Sequence, residues 1–240
     1  MAGHSHWHGI RHKKELEDKK RSQIFSKLAR QISVAARDGD DPETNPKLRM
    51  AIEKAKEFRM PNENIERAIK RGAGKVEGEN LEEFVYEAIG PGKIAIIIEG
   101  ITDNKNRALH EIKSILSKNG GKLAQEGSIR WMFERYGSIV IDMAENRKTK
   151  EELELLAIEA GAEDLRWRDS KLEIYTKPDN LEQVKKFLQE KEIKIESASL
   201  DWVPKEEIEV SEKEKEAIQR LFEALDENDA VQEIYSNLKI

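Results

Sequence analysis

The class of fold can be predicted from SIVIDMAENRKTKEELELLAIEAGAEDLRWRDSKLEIYTKPDNLEQVKKFLQEKEIKIESASLDW, residues 138–202. Its apolar spacing predicts, in order, a strand at 138–143, a helix at 150–159, strands at 164–167 and 172–176, a helix at 181–189 and a strand at 193–202. The order β-α-β-β-α-β is that of a ferredoxin-like domain, a four-stranded antiparallel sheet with two helices on one face. We therefore predict such a domain at residues 136–204.

The segments on either side of this domain predict a second sheet. Upstream, the β-rich runs at 84–89 and 93–100 are separated by Gly90, Pro91 and Gly92, as in a hairpin. A helix at 104–118, capped by Asp103, and a short strand at 129–133 follow. Downstream, a helix at 212–225 and a strand at 231–235 have no partner in the ferredoxin-like domain. We expect residues 80–135 and 205–240 to form one discontinuous α+β domain with the ferredoxin-like domain inserted in it.

The first 75 residues have helical periodicity. The first helix is expected to end near Asp38 and Gly39. A second, at 46–59, begins with Asn45 as cap and Pro46 in its first turn, and a third stops at Gly72. The Gly-rich, polar run GAGKVEGEN (72–80) is typical of a linker. The sequence therefore predicts an α+β multidomain protein that opens with a three-helix bundle at residues 1–75.

Charge is distributed unevenly along the chain. Residues 1–75 contain 18 Lys and Arg against 11 Asp and Glu, whereas the remaining residues contain 24 against 37. The net charges of the two parts are therefore +7 and −13, which the overall value of −6 conceals. Such asymmetry indicates a polyanion as the partner of the basic part.

The candidate contacts to that polyanion lie in the arm AGHSHWHGIRHKK (2–14) and the helix that follows it. Rings that can stack on unpaired bases are those of His4, Trp7 and His12. The cations expected to contact phosphates are Arg11, Lys13, Lys14, Lys20, Arg21, Lys27 and Arg30. Lys13, Lys20 and Lys27 recur every seventh residue and form a ridge beside the apolar stripe. The alternatives are a basic helix that only confers solubility and a Trp7 that only anchors the terminus.

Several kinds of chemistry have little support in the sequence. There are no cysteines, which excludes disulfides, thiolate nucleophiles and cysteine-ligated zinc. The histidine-rich arm lacks a scaffolded carboxylate or cysteine, so we expect no metal site. The run at 72–78 follows a helix and has no Ser or Thr after Lys75, unlike a phosphate-binding loop. We expect no enzymatic activity, no cofactor and no small-molecule substrate.

Neither a membrane span nor a signal peptide is recognisable in the sequence. We therefore expect a cytoplasmic protein without a membrane partner.

Several motifs in order resemble the YebC family over essentially the whole chain. They are AGHSHWHGIRHKK, DPETNPKLRMAIEKA, MPNENIERAIKRG, YEAIGPG, TDNKNR, SKNGG and MFER. The family includes bacterial proteins described as probable transcriptional regulators and a mitochondrial translational activator of a cytochrome oxidase subunit. The resemblance implies a helical bundle, a discontinuous α+β domain and an inserted ferredoxin-like domain. His6 departs from the family, which usually has Lys there.

We interpret the chain as a non-enzymatic, nucleic-acid-binding regulator of gene expression, a probable transcriptional regulator with DNA-binding activity. One alternative is a ribosome-associated translation factor that contacts ribosomal RNA through the basic N-terminal domain, since the sequence shows no convincing helix-turn-helix or dimerisation seam. A second alternative is a protein-interaction module that uses the acidic domains. Within TDNKNR, Asn104, Lys105 and Arg107 are candidates for a secondary contact to nucleic acid, or they merely cap a helix.

Overall fold

The computed structural model describes residues 18–77 and 80–239. In chain order the helices and strands are α1 Asp18–Ala35, α2 Pro46–Glu57, α3 Asn62–Gly72, β1 Glu82–Ile89, β2 Ala95–Thr102, α4 Lys105–Lys118, β3 Lys122–Leu123, β4 Phe133–Asp142, α5 Lys150–Ala160, β5 Asp164–Arg168, β6 Lys171–Thr176, α6 Leu181–Glu190, β7 Ser197–Pro204, α7 Glu212–Asp226 and β8 Val231–Ser236. Residues 132–205 form one compact unit, and the rest of the described chain forms the other.

The larger unit begins with the three helices α1, α2 and α3. A 3-10 turn, Ala36–Asp38, ends α1, and Asn45 caps α2 as predicted, its side-chain oxygen accepting the Leu48 N–H at 3.1 Å. The Asn45 amide also donates to the carbonyls of Ala35 and Gly39, which fixes the turn between α1 and α2. The apolar stripes of the three helices meet in a core that includes Leu28, Ile32, Leu48, Ile52, Ile65 and Ala68.

Gly72 sets how closely α3 approaches α1. A Cβ atom at this position would lie 2.1 Å from the Ser33 carbonyl oxygen and 2.8 Å from the Ala36 Cβ. The Ser33 hydroxyl donates to the Ala68 carbonyl at 2.9 Å, which ties the same two helices together. The C-terminal turns of α1 and α3 therefore lie side by side because residue 72 has no side chain.

The larger unit also contains an antiparallel sheet with the strand order β3-β1-β2-β8. The register pairs Phe84 with Gly100 and Ala88 with Ile96. Helices α4 and α7 contribute Ile112, Leu116, Leu221 and Leu225 to the same core as Ile96 and Ile98. The prediction that the C-terminal helix and strand return to the earlier sheet is confirmed, since β8 pairs with β2.

The smaller unit is a second antiparallel sheet with the order β5-β6-β4-β7 and two helices, α5 and α6. A Cβ on Gly137 would meet Leu181 of α6, so this side of the sheet faces the helices. Ile139, Ile141, Leu172 and Ile174 are fully buried. With seven α-helices and two antiparallel sheets in the described ranges, the chain has the α+β class that the sequence predicts. Its division into three domains stays a prediction.

Two local predictions were wrong. The segment predicted as a strand at 129–133 contains a 3-10 turn, Arg130–Met132, and β4 begins only at Phe133. The Glu87 carboxylate accepts the N–H groups of Ile129 and Arg130, so these donors do not enter a strand ladder. Helix α4 is capped by Asn104, not by Asp103, because the Asn104 side-chain oxygen accepts the Arg107 N–H at 3.0 Å.

Within the described ranges, no helix has the length and apolar character needed to cross a membrane.

Candidate nucleic-acid interface

The predicted contact residues fall into two groups. His4, Trp7, Arg11, His12, Lys13 and Lys14 lie outside the described residues, and so does the side chain of Lys20. The structure describes Arg21, Lys27 and Arg30 on α1, and Asn104, Lys105 and Arg107 at the start of α4.

Lys27 is the clearest correction to the predicted ridge. Only 4% of the residue is exposed. Its ammonium donates to the Asp226 carbonyl oxygen at 2.5 Å and lies 3.4 Å from the Asp226 carboxylate. Because the charge is already neutralised inside the larger unit, Lys27 holds the fold together and does not present a charge to phosphate.

Two other side chains on α1, those of Arg30 and Gln23, contact the same segment, residues 226–229, which we call the acidic turn. The Arg30 guanidinium donates to the Asp229 carbonyl at 2.7 Å, and the Gln23 amide donates to the Glu227 carbonyl at 2.6 Å. On α2, the Lys54 ammonium lies 2.5 Å from the Glu233 carboxylate. Part of the predicted phosphate-binding flank is therefore occupied by the protein's own acidic segment. Arg21, at the exposed start of α1, stays a candidate contact.

Five further cations, on α2 and α3 or in the turns that follow α1 and α2, are exposed, and for their side chains no hydrogen bond or ion pair to a described residue is found. We call them the open cations: Arg37, Lys56, Arg59, Lys70 and Arg71. By contrast, Lys75 is hydrogen-bonded to Asp40, and this contact holds the pKa of the Asp40 carboxyl below its usual range. The open cations are the described residues best placed to contact phosphate oxygens.

The packing of α1 against α3 brings some of these charges together. Arg37 follows Ala36 and Arg71 precedes Gly72, and a Cβ on Gly72 would lie 2.8 Å from that of Ala36. Arg37 and Arg71 therefore lie at the same end of the bundle. Lys70 and Arg71 also offset the dipole in the last turn of α3. Arg37 extends the basic flank of α1 and is recognisable in the sequence. The other four open cations were not predicted, although α2, α3 and the turn between them carry the same basic signal.

The three residues proposed as a secondary contact lie together around the first turn of α4 and are exposed. Asn104 caps the helix, the Lys105 ammonium lies 3.1 Å from the Glu82 carboxylate, and Arg107 is paired with Asp103. Each residue therefore has a partner within its own unit. Their local role in capping and ion pairing is observed, and a contact to nucleic acid stays a prediction.

The fold defines a class of α+β proteins in which an N-terminal helical bundle precedes two antiparallel sheets. A family model described as "TACO1/YebC protein N-terminal domain" matches residues 5–75, and one described as "TACO1/YebC second and third domain" matches residues 81–238. The chain belongs to the TACO1/YebC family, which confirms the resemblance seen in its motifs.

Full-length relatives support the same assignment. A "probable transcriptional regulatory protein" of Halothermothrix orenii is 50% identical, with 100% of this chain and 96% of the relative covered. A protein of the same description from Pseudothermotoga lettingae is 48% identical, with coverages of 100% and 94%. The crystal structure of a conserved hypothetical protein from Aquifex aeolicus has a TM-score of 0.87 and 43% identity, and the match covers 98% of this chain and 97% of that one. The names of the relatives support a role as a regulator.

Proposed function

We propose that this protein is a non-enzymatic regulator of gene expression, a transcriptional regulator that binds DNA through its N-terminal helical domain. The proposal rests on the uneven distribution of charge between the N-terminal part and the rest of the chain. Residues 1–75 have a net charge of +7 and the rest of the chain −13. A basic region attracts phosphate backbones, whereas the acidic remainder has no net attraction for them.

The open cations give this attraction a surface. Arg37 and Arg71 lie at one end of the bundle, and Arg21 lies at the exposed start of α1, so these three are among the described cations that a phosphate backbone can reach. Contacts of this kind fix position and contribute affinity without reading sequence. Binding should therefore weaken steeply as the salt concentration rises.

A ribosome-associated translation factor that contacts ribosomal RNA is the second candidate, and the exposed face of α3 favours it. A four-residue connection joins α2 to α3, as in a helix-turn-helix. However, the outward side of α3 carries Glu63 and Glu66, and Arg67 is paired with Glu63 at 2.8 Å. Carboxylates on a recognition helix would be repelled by the phosphates that line the major groove. Binding by shape and phosphate contacts, as in ribosome recognition, does not need such a helix.

A protein-interaction module is the third candidate. Leu155 and Ile158 on α5 are exposed large apolar residues one helical turn apart, and the exposed Glu151 and Glu159 flank them. This pair would suit an apolar partner surface with basic flanks.

DNA or ribosomes as targets would place the protein in the cytoplasm.

Co-sedimentation of the full chain with ribosomes, at about 150 mM salt and with excess random duplex DNA, tests these candidates together. Loss of the protein from ribosomes to the duplex supports the DNA-binding regulator. Retention on ribosomes despite the competitor supports the translation factor. Absence of binding to both ribosomes and DNA, also at low salt, contradicts the nucleic-acid proposal and leaves the interaction module.

A further inference from the structure

Residues 124–131, which lie in the loop between β3 and β4, include a tryptophan that is exposed to solvent. Trp131 is 67% exposed, and its indole N–H donates to the Ser128 carbonyl at 2.8 Å within the same loop. The Ser128 hydroxyl donates to the Gln125 carbonyl at 2.5 Å. The indole N–H is thus held within the loop, while two thirds of the residue is exposed to solvent.

A buried carboxylate holds the backbone of this loop in place. Glu87, in the middle of β1, is 3% exposed. Its two carboxylate oxygens accept the N–H groups of Gly127 at 2.7 Å, Ile129 at 2.7 Å and Arg130 at 3.0 Å. The Glu87 carbonyl accepts the Ala124 N–H at 2.8 Å, so the same residue also fixes the start of the loop. Four hydrogen bonds to Glu87 therefore fix the backbone that carries Trp131.

A tryptophan side chain that is fixed and yet exposed indicates a binding role. Burial of a tryptophan stabilises a folded protein, and an exposed tryptophan does not contribute this stability. Order that exists before binding also lowers the entropic cost of binding. The loop has the features of a pre-organised binding element, not of a loose connection.

The surroundings of the ring favour a nucleobase over a protein partner. The other exposed large apolar residues in the described ranges are Val76, Leu155 and Ile158, and all of them lie in other elements. Protein interfaces rely on clustered apolar side chains around such an anchor. An unpaired base needs only one flat ring with a cation nearby. The adjacent Arg130 is such a cation: its Nε lies 3.6 Å from the Glu87 carboxylate, and its side chain is 37% exposed, unlike that of Lys27.

We propose that Trp131 is a stacking site for an unpaired base of single-stranded nucleic acid, with Arg130 as the neighbouring cation. The inference rests on the proposed nucleic-acid function and adds a second binding element, in which an aromatic ring and not a phosphate contact provides the affinity. The ligand class is single-stranded RNA or DNA, including the loops and ends of structured RNA.

The test compares Trp131→Leu, which keeps an apolar side chain without a flat ring, with Trp131→Phe, which keeps the ring. Fluorescence anisotropy would measure binding of the full-length variants to labelled oligouridylate and oligothymidylate of about 20 nucleotides, and to a duplex of the same length. We expect Trp131→Leu to weaken single-strand binding by about 5- to 150-fold and to leave duplex binding unchanged. Trp131→Phe should keep most of the single-strand affinity. Comparison of the affinities for oligouridylate and oligothymidylate distinguishes RNA from DNA as the source of the base.

Quenching of the wild-type indole emission by the single strand, and a smaller quench in Trp131→Phe, would support stacking directly. Equal single-strand affinity of wild type and Trp131→Leu would overturn the stacking site while leaving the proposed function intact, provided that the wild type binds. If the wild type binds neither single strand nor duplex, the proposed function and the stacking site both fail.

Discussion

Glu87 is a buried acidic residue that works as an anion. Burial alone would raise the pKa of its carboxyl, but the N–H groups of Gly127, Ile129 and Arg130 and the charge of Arg130 outweigh burial and hold the pKa below its ordinary value. A carboxyl with a lowered pKa in the folded state contributes stability above its unfolded pKa and loses it as the pH falls through the folded pKa. The order of the loop at residues 124–131 should therefore depend on pH.

We predict that Glu87→Gln increases the opening of this loop at pH 7 by about 10- to 100-fold, because a neutral amide replaces an anion that accepts three N–H donors. Hydrogen exchange at Gly127, Ile129 and Arg130, expressed as protection relative to the unstructured rate, measures this opening. The difference between wild type and variant should shrink as the pH falls below about 4.5, near the unfolded pKa. A difference that is constant from pH 7 to strongly acidic pH would contradict the assigned role of the anion.

Lys27 is a cation whose role is structural. Replacement by Met keeps most of the stem but removes the ammonium that lies 3.4 Å from the Asp226 carboxylate. We predict that Lys27→Met lowers the free energy of unfolding by about 1–2 kcal/mol, less than for a fully buried pair because Asp226 is partly exposed. Denaturant unfolding would measure this loss. Affinity for duplex DNA should not change. A loss of affinity with unchanged stability would contradict the structural role of Lys27 and show that it contacts nucleic acid.

At the scale of elements, the contact between α1 and α3 depends on the absence of a side chain at residue 72. An Ala in a helix is ordinarily more favourable than a Gly by about 1 kcal/mol. Here the added Cβ would meet the Ser33 carbonyl oxygen, so α3 must move away from α1. We predict a net destabilisation of about 1–3 kcal/mol for Gly72→Ala, measured by thermal unfolding, with the exposed neighbour Arg71→Ala as control. A Gly72→Ala variant that is more stable than wild type would contradict the observed packing.

The sequence predicts some elements better than others. The accuracy depends on how many residues along the chain separate the groups that interact. The start of α2 was predictable because Asn45 and Leu48, which form the cap, are three residues apart. The turn at Arg130–Met132 was not, because the carboxylate that takes its amides belongs to Glu87, about 42 residues earlier. Periodicity along one segment contains no information on such a partner.

The candidate interface shows the same limit. The sequence identified the basic character of residues 1–75 and the grouping of cations on α1. It did not indicate that Lys27 would meet Asp226, a residue 199 positions away. It also did not single out Trp131, because exposure depends on how the loop is held and not on the residue type.

At the scale of the whole molecule, separated charge is the central feature. An overall net charge of −6 would disfavour nucleic acid if it were spread evenly, but the basic residues are concentrated in the first 75. The acidic turn neutralises part of that charge at Lys27 and contacts Arg30, so the open cations and Arg21 carry the described part of the proposed interface. If these residues form the interface, charge at these positions, and not net charge alone, controls binding.

The most direct measurement compares two variants with the same change in net charge. One carries Arg21→Glu, Arg37→Glu and Arg71→Glu in the helical bundle. The other carries Lys177→Glu, Lys186→Glu and Lys194→Glu at exposed positions of the smaller unit. Affinity for a labelled random-sequence duplex would be measured as the salt concentration rises from about 50 to 200 mM.

We predict that the bundle variant loses at least about tenfold in affinity. Its slope of log affinity against log salt concentration should become shallower by about 2–3, because each lost phosphate contact contributes about 0.9 to this slope. The control variant should keep nearly the wild-type affinity and slope. Equal behaviour of the two variants would contradict the account, because binding would then respond to net charge and not to the surface formed by α1 and α3.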